Sequence, residues 1–243
     1  MTLRAQYDGW HQRVYESDPQ HEDASSPWYE LVRQWIGPVA GLRILEVACG
    51  RGGFVRELVR AGAHMAGCDF SFTALRVGLS KLHENGLNRS SAQLVQGDAQ
   101  RLPFADASFD VVISCETIEH VPDAQGAVSE MYRVARPDGR LLLTTPNYLN
   151  FMGVYELYSL LRHPHRKDDQ PFDRRQWVPQ IRRYIRRAGW IISDSDGTVH
   201  QFPFIPGRNP VAFPKLEYNR TIRRLLSPFA YHYFVAARKP GIT

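Results

Sequence analysis

Residues Arg43-Ile-Leu-Glu-Val-Ala-Cys-Gly50-Arg-Gly52-Gly53-Phe54 run from an apolar strand straight into a glycine-rich turn and then a helix, and no stretch restricts the possible fold more. Glycine at 50, 52 and 53 lets the backbone turn sharply and approach a ligand where a Cβ would collide, while the following helix aims free N–H groups at that ligand. The segment predicts a nucleotide-type cofactor site. It is not a dinucleotide fingerprint, because Val55 stands where the third glycine of GxGxxG belongs.

Four further segments follow in order. A second strand, His64-Met-Ala-Gly-Cys-Asp69, ends in an acid placed to accept hydrogen bonds from ribose hydroxyls. A third, Ala92-Gln-Leu-Val-Gln-Gly97, leads to Asp98-Ala99 and then Pro103-Phe104. A fourth, Phe109 to Cys115, runs into Glu116-Thr-Ile-Glu119-His120-Val-Pro122. A fifth, Gly139 to Asn147, follows an expected turn at Arg136-Pro-Asp-Gly139.

This ordered set resembles the class I S-adenosylmethionine-dependent methyltransferases, in particular the ubiquinone-biosynthesis O-methyltransferase type and related small-molecule enzymes. The resemblance implies an α/β, Rossmann-like, doubly wound sheet of seven strands, mostly parallel with an antiparallel C-terminal strand and helices on both faces. It implies S-adenosylmethionine as cofactor and S-adenosylhomocysteine as product. By the same resemblance Glu46 and the Gly50–Gly52 turn hold the methionine end, Asp69 and Phe70 lie at the ribose side, Asp98 and the Ala99 backbone take the adenine, and Cys115 lines the site. Two departures stand out: Glu46 replaces a commoner aspartate and Ala48 a commoner glycine.

At 243 residues the chain can bury a sizeable core without disulfide or metal staples, and we expect one domain over 1–243. Within it, 1–40 reads as an N-terminal helical cap, 41–147 as the cofactor-binding core, and 148–173 and 199–230 as insertions covering the acceptor. No run reaches the apolar length of a membrane span; the nearest, Leu149 to Leu161, is short and contains Glu156. Three cysteines, all in or at the ends of expected strands, form no paired framework and suit a reducing, cytoplasmic compartment.

From Arg43 to Thr145, apolar strands alternate with expected helices at 52–61, 72–85 and 122–135, the pattern of parallel strands joined by helical crossovers. Pro27 is placed to open a helix through Ile36, with Gly37-Pro38 ending it. Later, Arg174 to Gly189 reads as an amphipathic helix with Trp177, Ile181, Tyr184, Ile185 and Ala188 on its apolar stripe. Charge concentrates here: Arg162 to Arg187 holds nine basic residues against three aspartates, so the remainder of this chain of net charge +5 is close to neutral. A solvated arginine face is the plain reading, a surface for phosphate, acidic lipid or nucleic acid the alternative. Trp190 to Ser195 and Tyr231 to Arg238 read as the sixth and seventh strands, with a proline-punctuated insert and a helix near 215–227 between them.

Methyl transfer is an in-line displacement, so the protein must align donor and acceptor and remove a proton where the acceptor is a hydroxyl. His120, with Glu119 beside it, is the candidate base, because it follows the fourth strand on the cofactor edge and a neutral imidazole suits proton removal near pH 7. Glu116, Glu119 and His120 also form an E-x-x-E-H group; no metal is expected, and these three would be the ligands if one were held. Trp28, Tyr148 and Phe202 are the substrate candidates, part of an aromatic set favouring an apolar or aromatic small molecule. The expected activity is methyl transfer to an oxygen of such an acceptor, with nitrogen as a variant. One rival is an RNA 2′-O-methyltransferase, for which nucleic acid would be the partner; Gln170 stands where those enzymes carry a histidine, leaving His163 or His165 to substitute. Another is a cofactor-binding regulatory protein without turnover. DNA base methylation is disfavoured, since Cys115-Glu116-Thr117 occupies the place of an Asn-Pro-Pro-Tyr type motif.

Overall fold

The computed structural model describes residues 1–18, 23–87, 92–148, 150, 170–198 and 219–241, with backbone alone at 201–202 and 211–212. Seven strands form the main sheet: β1 (Arg43–Val47), β2 (His64–Asp69), β3 (Ala92–Gln96), β4 (Phe109–Cys115), β5 (Ala135–Pro146), β6 (Ile191–Thr198) and β7 (His232–Arg238). Their spatial order is β3-β2-β1-β4-β5-β7-β6. All pairings from β3 to β5 are parallel, while β7 runs antiparallel to both neighbours. The expected fold class is therefore the observed one. Gln201–Phe202 and Val211–Ala212 pair as a separate two-stranded ribbon.

The chain forms this sheet because its central strands are apolar on both faces, as strands covered by helices must be. Along β4, Val112 joins one core cluster while Val111 and Ile113 join the other, the two-residue alternation of a strand buried on both sides. One face is covered by α2 (Pro27–Ile36), α3 (Gly53–Arg60) and α4 (Phe72–Glu84), through residues such as Leu31, Phe54 and Leu75. The other is covered by α5 (Ala124–Val134) and α6 (Val178–Arg187), through Val128, Met131, Ile181 and Ile185. Ahead of these lies α1 (Leu3–Ser17), which buries no residue fully, and near the end lies α7 (Arg220–Leu226).

Helix boundaries follow local chemistry. Pro27 opens α2 and Gly37, at φ +70°, ends it. Ser71 caps α4, accepting from the Ala74 N–H, and Asp123 caps α5 in the same way through Gly126.

Two expectations need correction, and a third falls partly outside the described residues. The turn expected at Arg136–Gly139 is instead part of β5, which begins at Ala135; the β4–β5 register shifts between Phe109 and Val111, and Asp138 takes φ +61°, so the Pro-Asp-Gly sequence makes a bulge instead of a reversal. The arginine-rich helix starts only at Val178, with Pro179 in its first turn, and Trp177 lies outside it and 44% exposed instead of on the apolar stripe. The helix near 215–227 is described from Arg220, the residues 213–218 lying outside the described set. Among the described residues no helix is long and apolar enough to cross a membrane, and the Leu149–Leu161 run lies almost wholly outside them.

Candidate functional site

The strand order reverses direction between β1 and β4, and a crevice opens at the carboxyl ends of strands at such a point. A cavity of about 390 Å³ occupies it. Its walls are the strand-end segments Val47–Gly50, Cys68–Phe70, Gly97–Gln100 and Cys115–Thr117, together with His120–Pro122 and Gln170. Tyr7 and Trp10 of α1 and Trp28 and Tyr29 of α2 close it from above.

On the β1–β3 side, backbone geometry and one carboxylate set the wall. Gly50 and Gly52 take φ +53° and +67°, the left-handed region that the sequence assigns to glycine, yet Ala48 sits there too, at φ +56°. Asp69 ties the turn to the next helix: its Oδ2 accepts from the Gly50 N–H and its Oδ1 from the Ser71 N–H, both at 2.8 Å. Asp98 accepts from the Gln100 backbone at 2.8 Å and from its side-chain amide at 3.0 Å, which folds 98–100 into a short turn against the cavity. Phe70 packs edge-on to Tyr7 and beneath the Arg4 guanidinium.

Not every residue expected at the cofactor reaches the cavity. Asp69, Phe70, Asp98, Ala99, Cys115 and Gly50 do. Glu46 is buried behind it, its Oε1 accepting from the Tyr29 hydroxyl at 2.7 Å, so that Tyr29 presents the wall in its place. Gly52 is one step behind, as the residue capping α3. Cys49, Cys68 and Cys115 are free and buried; burial raises all three thiols, that of Cys68 to about 12, so none is a ready nucleophile.

On the β4 side the wall is polar. His120 Nδ1 lies 2.8 Å from the Phe172 carbonyl oxygen, and because a carbonyl only accepts, Nδ1 carries the proton and Nε2 the lone pair. Asp173 Oδ1 is 3.8 Å from the same Nδ1. Behind the ring, Glu119 is wholly buried; its Oε2 accepts from Thr145 Oγ1 at 3.0 Å and its Oε1 lies 3.7 Å from His120 Nε2. Burial, followed by the nearby Glu116, pushes the Glu119 carboxyl well above the usual range. Tyr7 reaches over this corner, its hydroxyl 3.3 Å from the carbonyls of His120 and Phe172, and burial raises it as well.

Glu116 lines the cavity, and its Oε2 accepts from His232 Nδ1 at 2.9 Å. Among the described residues, no three His, Cys, Asp or Glu side chains are grouped as for a metal ion, and the E-x-x-E-H trio is not such a group. Trp28 stands at the cavity with its ring 5.0 Å from that of His232. Tyr148 does not line it, its hydroxyl being 3.2 Å from Asp173 Oδ2, and the side chain of Phe202, like His163 and His165, lies outside the described residues. Gln170 does line it.

Sequence reasoning missed His232 and Tyr7; Tyr29, with Trp10 and Trp28, belongs to the aromatic set read as able to cap the site, and only its bond to Glu46 was not foreseen.

A doubly wound sheet with a glycine turn and two strand-end aspartates around one cavity defines a nucleotide-cofactor enzyme, and comparison with known proteins narrows it. Residues 45–143 match the family described as a methyltransferase domain. Demethylmenaquinone methyltransferases of Beutenbergia cavernae and Streptomyces avermitilis are each 31% identical to the chain, over 67% of it and 71% and 74% of theirs. A sterol 24-C-methyltransferase of Gibberella zeae is 40% identical over half of this chain and 29% of its own. In fold, a putative methyltransferase of Haloferax volcanii, solved with the Trm112 methyltransferase activator, superposes with a TM-score of 0.68 over 100% of this chain and 99% of that one, at 16% identity. A possible histamine N-methyltransferase of Thermotoga maritima gives 0.66 over 98% and 100%, also at 16%. The chain belongs to the class I S-adenosylmethionine-dependent methyltransferases, and S-adenosylmethionine is its cofactor.

Proposed function

We propose that this enzyme methylates an oxygen of a small apolar or aromatic hydroxylated acceptor, with His120 taking the hydroxyl proton. The observation that supports the reading is the fixed tautomer of His120: its Nδ1–H is committed to the Phe172 carbonyl, which leaves Nε2 as the nitrogen able to take a proton, on a residue that lines the same cavity as the glycine turn. Burial raises the Glu119 carboxyl, which weakens an ion pair with Nε2 3.7 Å away and favours His120 as the group that takes the proton.

The residues fit the cofactor. An aspartate at the end of β2 and an acid-bearing turn after β3 frame a cavity of about 390 Å³. In this reading Asp69 and Phe70 hold the ribose side, Asp98, Ala99 and Cys115 the base, and the Gly50–Gly52 turn the methionine end, with Glu46 acting through Tyr29. When bound, S-adenosylmethionine supplies a methyl carbon activated by positively charged sulfur. The chain's own residues hold the acceptor oxygen in line with it, exclude water with Tyr7, Trp10 and Trp28, and receive the proton at His120 Nε2.

A second reading, transfer to a ring carbon beside the hydroxyl, is favoured by the names of curated relatives, among them demethylmenaquinone methyltransferases and a sterol 24-C-methyltransferase. It uses the same base, since removing a phenolic proton also enriches the ring carbons. A methyl-release assay with phenols, aliphatic alcohols, amines and short RNAs, followed by NMR of the product, decides the matter. The proposal expects turnover with a phenol and an O-methyl resonance. A C-methyl product moves the reading to carbon, and turnover confined to amines or RNA overturns it.

A further inference from the structure

We propose that Glu116, held in place by His232, binds a second hydroxyl on the acceptor, so that the enzyme selects molecules carrying a hydroxyl besides the one that reacts. The inference rests on the acceptor reading above and assigns roles to two residues that it leaves unused.

Glu116 is the first residue beyond β4 and takes φ +47°, a conformation that side chains other than glycine seldom adopt. Its backbone N–H is anchored to the Thr144 carbonyl at 3.0 Å, and the side chain lines the cavity. One carboxylate oxygen, Oε2, accepts the Nδ1–H of His232 at 2.9 Å. The other, Oε1, is buried without a hydrogen-bond partner. A buried acceptor left in that state forfeits its hydration with no return, and such groups call for an explanation. A donor delivered by the ligand supplies one.

His232 is a positioning residue. It enters from the start of β7, opposite Pro146 of β5, and its imidazole packs against the rings of Trp28 at 5.0 Å and Tyr231 at 4.8 Å. Packed against these two rings, it fixes one carboxylate oxygen, and the other is the one proposed to meet the acceptor. Trp28 lines the cavity beside the pair, its ring against that of His232. His120 is on the same cavity, so the two groups offer separate partners to two hydroxyls of one molecule. Sites built to hydrogen-bond a substrate hydroxyl discriminate strongly against the analogue lacking it, because the buried group is then left unpaired.

The test measures binding to the protein loaded with S-adenosylhomocysteine, using 4-tert-butylphenol and the tert-butyl-substituted 1,2- and 1,4-benzenediols. At least one diol should bind about tenfold more tightly than the phenol or better. In Glu116→Leu, which keeps volume and removes the acceptor oxygens, that ratio should collapse to near unity. His232→Phe keeps a ring against Trp28 but no N–H, and should also lose the preference; His232→Asn restores an N–H donor and should recover part of it. Affinity for S-adenosylhomocysteine, taken on the same samples, separates loss of the site from loss of the fold, and the two His232 variants decide the question if Glu116→Leu fails to fold. Equal binding of phenol and diols by wild type, or a preference that survives Glu116→Leu or His232→Phe, overturns the inference. Turnover speaks to the proposed reaction alone: diol selection without methyl release from any hydroxyl leaves the pair's role standing and removes the oxygen-methylation reading, and methyl release without diol preference does the reverse.

Discussion

The two ends of the cavity, in the proposed reading the cofactor end on the β1–β3 side and the acceptor end on the β4 side, are built in different ways. At the cofactor end the polar contacts are short in sequence: Ser71 to Asp69 spans two residues, Gln100 to Asp98 two, Gly50 to Asp69 nineteen. At the acceptor end His120 meets Phe172 across 52 residues, Tyr7 meets His120 across 113, and His232 meets Glu116 across 116. The first wall is thus assembled by consecutive strand–helix units, each carrying its own strand-end residues. The second exists only once α1, the segment after β5 and β7 have all docked. Loops on a rigid scaffold are where a common fold varies its chemistry, and the acceptor wall follows that division.

The largest expected effect breaks the comparison at the acceptor end. His120→Ala should lower turnover by roughly two to four powers of ten while leaving S-adenosylhomocysteine affinity nearly intact, if the two walls act separately. Single-turnover kinetics beside calorimetry would check it; turnover close to wild type would make His120 structural. Asp69→Ala is the counterpart at the other end. It removes a charged acceptor and orphans the Gly50 and Ser71 N–H groups, so cofactor binding should weaken by about 1.5–3 kcal/mol, and calorimetry showing undiminished affinity would contradict the assignment.

A smaller effect sharpens the account of the turn. Ala48 pays a steric cost at φ +56° that glycine would not, so Ala48→Gly should raise stability to chemical denaturation by up to about 1 kcal/mol, the relief exceeding the added chain entropy. An unchanged or lowered unfolding midpoint would mean that the strain is relieved by neighbouring contacts. The smallest effect concerns Glu119. Its carboxyl, ordinarily near 4.5, is raised in the fold, so above that pH the folded chain holds a proton that the unfolded chain has lost, and stability falls as pH rises through the window. Glu119→Gln removes this titration. Between pH 5 and pH 8 the wild-type melting temperature should therefore fall by at least about 2 °C more than that of the variant; parallel curves would show that Glu119 ionises normally.

Legibility in the sequence tracks this division. The helices at 53–60, 72–84 and 124–134 were within a residue or two of expectation, because apolar strands and capped helices are local patterns, while the antiparallel last strand came from the family resemblance. Where local signals pointed the wrong way, a tertiary constraint had overridden them. Pro-Asp-Gly at 137–139 reads as a turn, yet pairing with β4 and β7 absorbs it as a bulge; Trp177 fits the stripe of the arginine helix, yet Pro179 sets the start of that helix one residue beyond it. Glu46 shows the subtler case. Its strand-end position was correct, but Tyr29, from a helix before the sheet, stands between it and the cavity.

By itself the sequence determined the class of this protein. The glycine turn, the strand-end acids and the period of the apolar residues are written within stretches of about twenty residues, and local geometry converts them into a cofactor-binding edge with little choice of outcome. Only the tertiary structure decided which acids face the ligand and in what state. Burial raises the Glu119 carboxyl, the Phe172 carbonyl selects the tautomer of His120, and β7 brings His232 to Glu116. Each of those outcomes depends on desolvation or on a hydrogen bond between residues more than twenty-five positions apart, and neither exists until the chain has closed on itself.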